Sequence, residues 1–163
     1  MKRRVAVRGI IVVDGKLLCF KLRSKHGDDI TKYWCVPGGG VDVGEPLLEA
    51  LEREMIEETG VKPEIGNLLY VQQFFDKQFE HQEQMEFFFH IINGKDYLNI
   101  DLGNTSHGMA EVAEFAFIDP SKNFVLPKFL TTESFHDLGE HPTKFFSYFY
   151  YSLKAISFFY SIL

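Results

Sequence analysis

Apolar and polar positions fall into distinct blocks along the first third of the chain. Residues 5 to 13 (VAVRGIIVV) and 16 to 22 (KLLCFKL) are β-rich runs separated by Asp14-Gly15. Two residues of that type between apolar runs predict a hairpin, because both tolerate the positive φ of a tight turn. Residues 23 to 32 are polar and read as a loop. Tyr33 to Val36 then form a short strand that stops at Pro37-Gly38-Gly39-Gly40. From Glu45 to Thr59 the period changes: Leu47, Leu48, Leu51 and Met55 recur three and four apart, the mark of one apolar helix stripe. Pro46 suits the first turn of that helix, and Gly60 suits its end.

Further strands are expected at 65 to 75 and 84 to 92. In the second, Met85, Phe87, Phe89 and Ile91 fall on one face, with Phe88 and Ile92 on the other. Such a strand is covered on both sides, as in a sheet between helices. A last strand spans roughly 111 to 118 and ends at Asp119-Pro120. Two short helices are expected near 127 to 138 and 143 to 162. No repeat or composition break divides the chain, and 163 residues suit one α/β domain. The tail from 145 onward, FFSYFYYSLKAISFFYSIL, carries one charge, Lys154. Phe145, Phe149, Leu153, Ile156, Tyr160 and Leu163 recur at helical spacing. An aromatic, amphipathic helix over 143–163 is therefore expected, packed on residues 1–142 or on a homodimer partner, with a membrane surface as the alternative. A central lysine makes it a poor membrane span.

Charge narrows the chemistry. A formal net charge of -6 argues against a broad basic face, so no stable nucleic-acid partner is expected. A phosphorylated ligand would need local cations, either Lys/Arg side chains or a bound metal. The two cysteines, Cys19 and Cys35, offer neither a disulfide framework nor a CxxC zinc site, which points to a reducing, cytoplasmic setting. The basic N-terminus runs into an apolar stretch without a small-residue cleavage site and reads as a strand rather than a signal peptide.

The candidate chemistry lies in residues 39 to 61. On a helix, Glu54, Glu57 and Glu58 sit at i, i+3 and i+4, so their carboxylates share a narrow arc. Like charges at that spacing disfavour an isolated helix. Hard divalent cations such as Mg²⁺ use such oxygens, together with substrate phosphates. Arg53 paired with Glu57 one turn later would offset part of the repulsion. Gly38, Gly39 and Gly40 allow close backbone approach, and a bare carbonyl there could complete a metal's oxygen shell. Glu45 stands at the helix start, where negative charge is favoured, and lies near enough to join the cluster. A single Glu-Glu pair on a helix is usually a solvated face. Seven specified positions in this order, however, would arise by chance in roughly one such chain in a million.

The order is Gly39, five residues, Glu45, seven residues, then Arg53-Glu54-Met55-Ile56-Glu57-Glu58-Thr59-Gly60-Val61. This resembles the box of the Nudix hydrolase family, in a MutT-like single-domain form. Met55 stands where the family pattern usually has Leu, Ile or Val, and it is apolar and flexible enough to pack there. The resemblance implies an α/β/α sandwich with a mixed sheet and a loop-helix-loop catalytic motif. It implies hydrolysis of a nucleoside diphosphate linked to another group, with Mg²⁺ or Mn²⁺. Carried onto this chain, Glu54, Glu57 and Glu58 would bind metal, helped by Glu45 and a backbone carbonyl at Gly38 or Gly39, and Arg53 would orient them. The general base is not fixed by the box. In the family it is a box glutamate or a carboxylate from a loop elsewhere. The outside candidates here are Glu83, Glu86, Glu111 and Glu114, with Glu111 preferred because its loop can fold over the site. Arg8, Lys21 and Arg23 could meet phosphates, and Tyr33, Trp34, Phe74, Phe75 and Phe79 could stack on a base.

Markers outside the box narrow the substrate by resemblance. The four-cysteine module of NADH pyrophosphatases and the spaced arginines of coenzyme A pyrophosphatases have no counterpart. Asp76-Lys77 stands where ADP-ribose pyrophosphatases often carry proline. A nucleoside triphosphate or a nucleotide sugar is the expected substrate, with ADP-ribose as the alternative. A nucleotide-sensing module without turnover is a second class, although no box carboxylate is missing. Carbon-proton chemistry of the isopentenyl diphosphate isomerase kind would rest on Cys35 alone.

Overall fold

The computed structural model describes residues 3–23, 29–76, 82–148 and 160–161. The first apolar run divides between two sheets. Its leading part is β1 (Arg3–Ile10), and its end is β2 (Val12–Val13). Asp14 and Gly15 take φ of 49° and 73° and turn β2 into β3 (Lys16–Leu22), with Val12 opposite Leu17. Next come β4 (Trp34–Cys35), α1 (Leu47–Thr59), β5 (Ile65–Asp76) and β6 (Gln82–Ile91). The one-turn helix α2 (Gly108–Glu111) leads into β7 (Val112–Ile118), followed by β8 (Val125–Leu126), β9 (Lys144–Tyr148) and β10 (Tyr160–Ser161).

One mixed sheet has the order β1-β6-β5-β9-β10, with β1 parallel to β6 and β5 antiparallel to it. The other has the order β2-β3-β4-β8, and β7 lies antiparallel on β3. The register of the first sheet fixes what shares a face. Arg4, Ala6 and Arg8 oppose Gln84, Glu86 and Phe88, while Phe74, Gln72 and Tyr70 continue that row across β5. The apolar end of this face joins a core with Trp34, Val36, Phe129 and Leu130. On the opposite face, Val7, Phe89 and Ile91 pack with Leu51 and Met55 of α1. Burying Leu51 and Met55 fully contributes about 1.5–3 kcal/mol each. β3 serves both cores, Leu17 and Cys19 in one and Leu18 and Phe20 in the other.

The structure corrects the expectations drawn from the pattern at several points. The buried stripe of α1 is Ala50, Leu51 and Met55 together with Glu58 and Thr59, while Leu48 faces solvent. Ile92 falls beyond the end of β6 and is exposed rather than packed. The helix expected near 127 to 138 is replaced by 3-10 turns at Lys128–Thr131 and Leu138–Glu140. There the hydroxyls of Thr131 and Thr132 donate to the carbonyls of Lys128 and Phe129, competing with helix propagation.

The expected C-terminal helix begins instead as β9, parallel to β5, with Phe146 stacked on Phe129 at 4.1 Å between ring centroids. Aromatic residues suit a pleated, half-buried surface, and here that preference wins over the helical spacing. Residues 149–159 and 162–163, and with them most of that expectation, lie outside the described residues. Among the described residues, no helix is long and apolar enough to cross a membrane.

The loop before α1 is tied to the outer edge of β1. Val7 N–H donates to the Gly39 carbonyl at 2.9 Å, Gly9 N–H to Pro37 at 3.0 Å, and Val41 N–H to Val5 at 3.0 Å. Gly38 adopts φ +118°, and a Cβ there would lie well inside van der Waals contact with the Val7 carbonyl oxygen. Gly38→Ala is expected to destabilise the fold by about 2–3 kcal/mol or more. Gly44→Ala, at φ +85° in open space, should cost about 1 kcal/mol. Urea unfolding followed by circular dichroism compares the two.

Candidate active site

Helix α1 starts directly after Pro46 and ends where Gly60, at φ 73°, turns its N–H back to the Ile56 carbonyl. Within it, Leu51 and Met55 point into the core, which fixes the rotation of the helix and hence the direction of its glutamates. Arg53 stands at the centre. Its Nε and Nη2 hold both oxygens of Glu45, at 2.8 and 2.9 Å. Its Nη1 donates to Glu54 at 2.8 Å and to Glu57 at 3.2 Å, and Nη2 also reaches the Gly40 carbonyl at 2.9 Å. The expected Arg53–Glu57 pair is thus present, but the bidentate contact is to Glu45. Glu45 also accepts from the Asp42 N–H, and these hydrogen bonds, Arg53's first, hold its carboxyl down to about 2.

Glu58 faces differently from its neighbours. Only 4% of it is exposed, and its Oε2 accepts from the Gly38 N–H at 2.8 Å. The next peptide, Gly38–Gly39, is also held, because Arg8 Nη1 donates to the Gly38 carbonyl at 2.5 Å. Arg8 in turn is paired with Glu86 through Nε at 3.1 Å and Nη2 at 2.9 Å. Burial works to lower the Arg8 pKa, but Glu86, together with Cys35 and Glu58, raises it on balance. Burial pushes the Glu58 carboxyl up to about 8. The Gly38 N–H and Arg8 pull it down, while Glu54 and Glu111 push it further up.

Gly39 forms a cradle for Glu54: a Cβ there would collide with all three atoms of the carboxylate group. Glu57 has a second partner in His107, whose Nδ1 lies 3.1 Å from its Oε2, while the His107 N–H donates to the Glu57 carbonyl. The sequence held no signal for His107, which reaches α1 only through the turn before α2. As the side chains stand, no three His, Cys, Asp or Glu groups among the described residues converge closely enough to hold a metal. Arg53 Nη1 occupies the position between Glu54 and Glu57. The donor set itself is carboxylate and carbonyl oxygen, the chemistry that suits Mg²⁺ or Mn²⁺.

The outlying candidates separate clearly. Glu83 is paired with Arg3, Glu86 with Arg8, and Glu114 with Lys21. Glu111 lies at the end of α2, exposed and without an ion pair among the described residues, and its charge is felt at Glu58. Arg8 is committed to Glu86 and Gly38, so the expectation that it meets phosphates is not carried by its geometry. Lys21 lies over the Trp34 ring at 4.5 Å, and Tyr33 meets Phe124 edge-on, so these aromatics serve packing. Phe79 lies outside the described residues. Cys35 donates weakly to the Phe20 carbonyl at 3.6 Å, and its thiol is pushed up to about 11 by burial above all.

The raised Glu58 pKa carries a sign. The folded chain holds this proton more tightly than the unfolded chain, so the contribution to stability is full below about pH 4.5 and is lost as pH rises through about 8. In chelator, wild type should lose on the order of a few kcal/mol relative to Glu58→Gln between pH 5 and 9. Parallel urea titrations across that range measure the difference.

The sequence profile described as "NUDIX domain" matches residues 2–137. An ADP-ribose pyrophosphatase of Methanocaldococcus jannaschii is 42% identical over 67 residues, covering 41% of this chain and 38% of that protein. The nucleoside triphosphatase NudI of an Enterobacter species is 40% identical over 65 residues, covering 40% of this chain and 45% of that protein. The matches thus span less than half the length of these curated relatives. The crystal structure of a MutT protein from Bacillus halodurans superposes with a TM-score of 0.62 over 94% of this chain and 95% of that one, at 20% identity, and so shows likeness of fold. With the profile running across β1 to β8 and the glutamate helix at its centre, the chain belongs to the NUDIX domain family.

Proposed function

We propose that this chain hydrolyses a diphosphate bond in a nucleoside diphosphate linked to another moiety, with Mg²⁺ or Mn²⁺ as cofactor. The observation that carries this is the assembly of Glu45, Glu54 and Glu57 around Arg53, with Glu58 latched to the glycine loop. Glu54, Glu57 and Glu58 would hold the cation, with a carbonyl at Gly38 or Gly39, each of which keeps a second lone pair. Glu45 already accepts three hydrogen bonds and acts mainly by holding Arg53. When bound, a divalent cation neutralises the diphosphate and lowers the pKa of an attacking water.

The residues then have separable tasks. Arg53 keeps the carboxylates apart and directed. The water oxygen forms a new bond to phosphorus as the bridging P–O bond breaks, and that electron pair leaves with the departing phosphate. A carboxylate must take the water's proton. Glu111 is the outside candidate free to do so, since Glu83, Glu86 and Glu114 are held by cations.

A nucleoside triphosphate or nucleotide sugar is the proposed substrate, and the NudI relative's name supports the first. ADP-ribose is the second reading, favoured by the Methanocaldococcus relative's name, with Asp76-Lys77 standing against it. A sensor without turnover would tolerate loss of box carboxylates, and all are kept here. The proposed setting is cytoplasmic.

The test is phosphate release from a panel of triphosphates, nucleotide sugars, ADP-ribose and NADH with Mg²⁺ or Mn²⁺. Turnover on at least one member is expected, with Glu58→Gln slower by roughly a hundredfold or more and Glu111→Gln also impaired. Nucleotide binding without turnover would favour the sensor.

A further inference from the structure

β1 carries three arginines, and two of them are spent. Arg3 is paired with Glu83, and Arg8 with Glu86 and the Gly38 carbonyl. Arg4 has no ion pair among the described residues. Its side-chain hydrogen bond is a long one, 3.4 Å from Nη1 to the Gln84 amide oxygen. Yet it stands beside the glycine loop: a Cβ placed on Gly40 would lie 3.6 Å from its Nη2 and 3.9 Å from its Nε. Arg53 reaches the Gly40 carbonyl, so this residue separates a saturated guanidinium from an unsaturated one.

The electrostatics point the same way. Partial burial of the guanidinium and repulsion from Arg8 work against the charge on Arg4, while Glu86 and Glu54 support it. Arg4 is therefore close enough to feel a box carboxylate without being neutralised by one. The chain is acidic overall, with a net charge of -6, and a polyanion approaching four glutamates needs a cation that the protein has not already paired. A guanidinium with free N–H groups matches two phosphate oxygens in its plane.

We infer that Arg4 binds a phosphate of the substrate, on the sheet side of Gly40, while the adjoining phosphate lies toward the carboxylates of α1. This assignment rests on the diphosphatase reading and adds a residue outside the box to the substrate contacts.

Methylenediphosphonate with Mg²⁺ is a probe that needs no base and cannot be hydrolysed. Its affinity is measured by calorimetry for wild type, Arg4→Gln and Arg4→Lys. Arg4 belongs to neither hydrophobic core and lacks an ion pair among the described residues, so the variants should melt like wild type. Arg4→Gln should bind the diphosphonate about ten- to a hundredfold more weakly. Arg4→Lys, which keeps the charge but not the fork, should fall between, and the salt dependence of binding should flatten in Arg4→Gln. Equal affinity for wild type and Arg4→Gln would overturn the assignment and reduce Arg4 to a counter-charge for Glu54. If wild type turns over a member of the nucleotide panel in that case, the diphosphatase reading stands alone. If wild type neither binds the probe nor turns over any nucleotide, both fall.

Discussion

The site depends on Gly38, whose two flanking peptide groups are both held. The Gly38 N–H donates to Glu58, and the carbonyl of the same residue accepts from Arg8, which is anchored by Glu86. Through these contacts the sheet, the glycine loop and α1 are set at fixed positions relative to one another. The geometry admits no side chain at Gly38, whose φ is positive and whose Cα faces the Val7 carbonyl. A charge-assisted hydrogen bond to a buried carboxylate is stronger than its exposed equivalent, but it requires desolvation of that carboxylate. The raised pKa of Glu58 reflects that cost.

The remaining glutamates are arranged around this latch. Three carboxylates on one helix arc would repel, and Arg53 resolves the conflict by contacting Glu45, Glu54 and Glu57 at once. The same contacts leave no three of these carboxylates converging tightly as they stand. Local charge balance and the proposed binding of a divalent cation would therefore draw on the same oxygens. Local conflicts of this kind are expected where a chain keeps groups for function rather than for stability.

Much of this was legible in the sequence. The hairpin at Asp14-Gly15, the helix from Leu47 to Thr59 and the strands β5 to β7 follow from periodicity and turn chemistry. The spacing of Glu54, Glu57 and Glu58 locates the glutamate helix, and the box resemblance leads to the family that the domain profile bears out. Other features depend on distant partners and leave no local pattern. The division of residues 5 to 13 between two sheets is set by β6 on one side and β3 on the other. Arg8 looks like a surface cation until Glu86, 78 residues away, is placed beside it. His107 reaches Glu57 only through the turn before α2. The tail misleads for a related reason: aromatics repeat at a spacing compatible with a helix, but Phe146 finds Phe129 and β5.

Coupling between the latch and cation binding is the central physical claim, because Glu58 must give up its proton to act as a ligand. Mn²⁺ binding to the intact chain, followed by water proton relaxation at pH 6.5 and 8.5, tests it most directly. Affinity should rise about tenfold or more between those values in wild type, as Glu58 ionises through about 8, and the rise should vanish in Glu58→Gln. Mn²⁺ affinity that is flat with pH, or a pH dependence that persists unchanged in Glu58→Gln, would contradict the account.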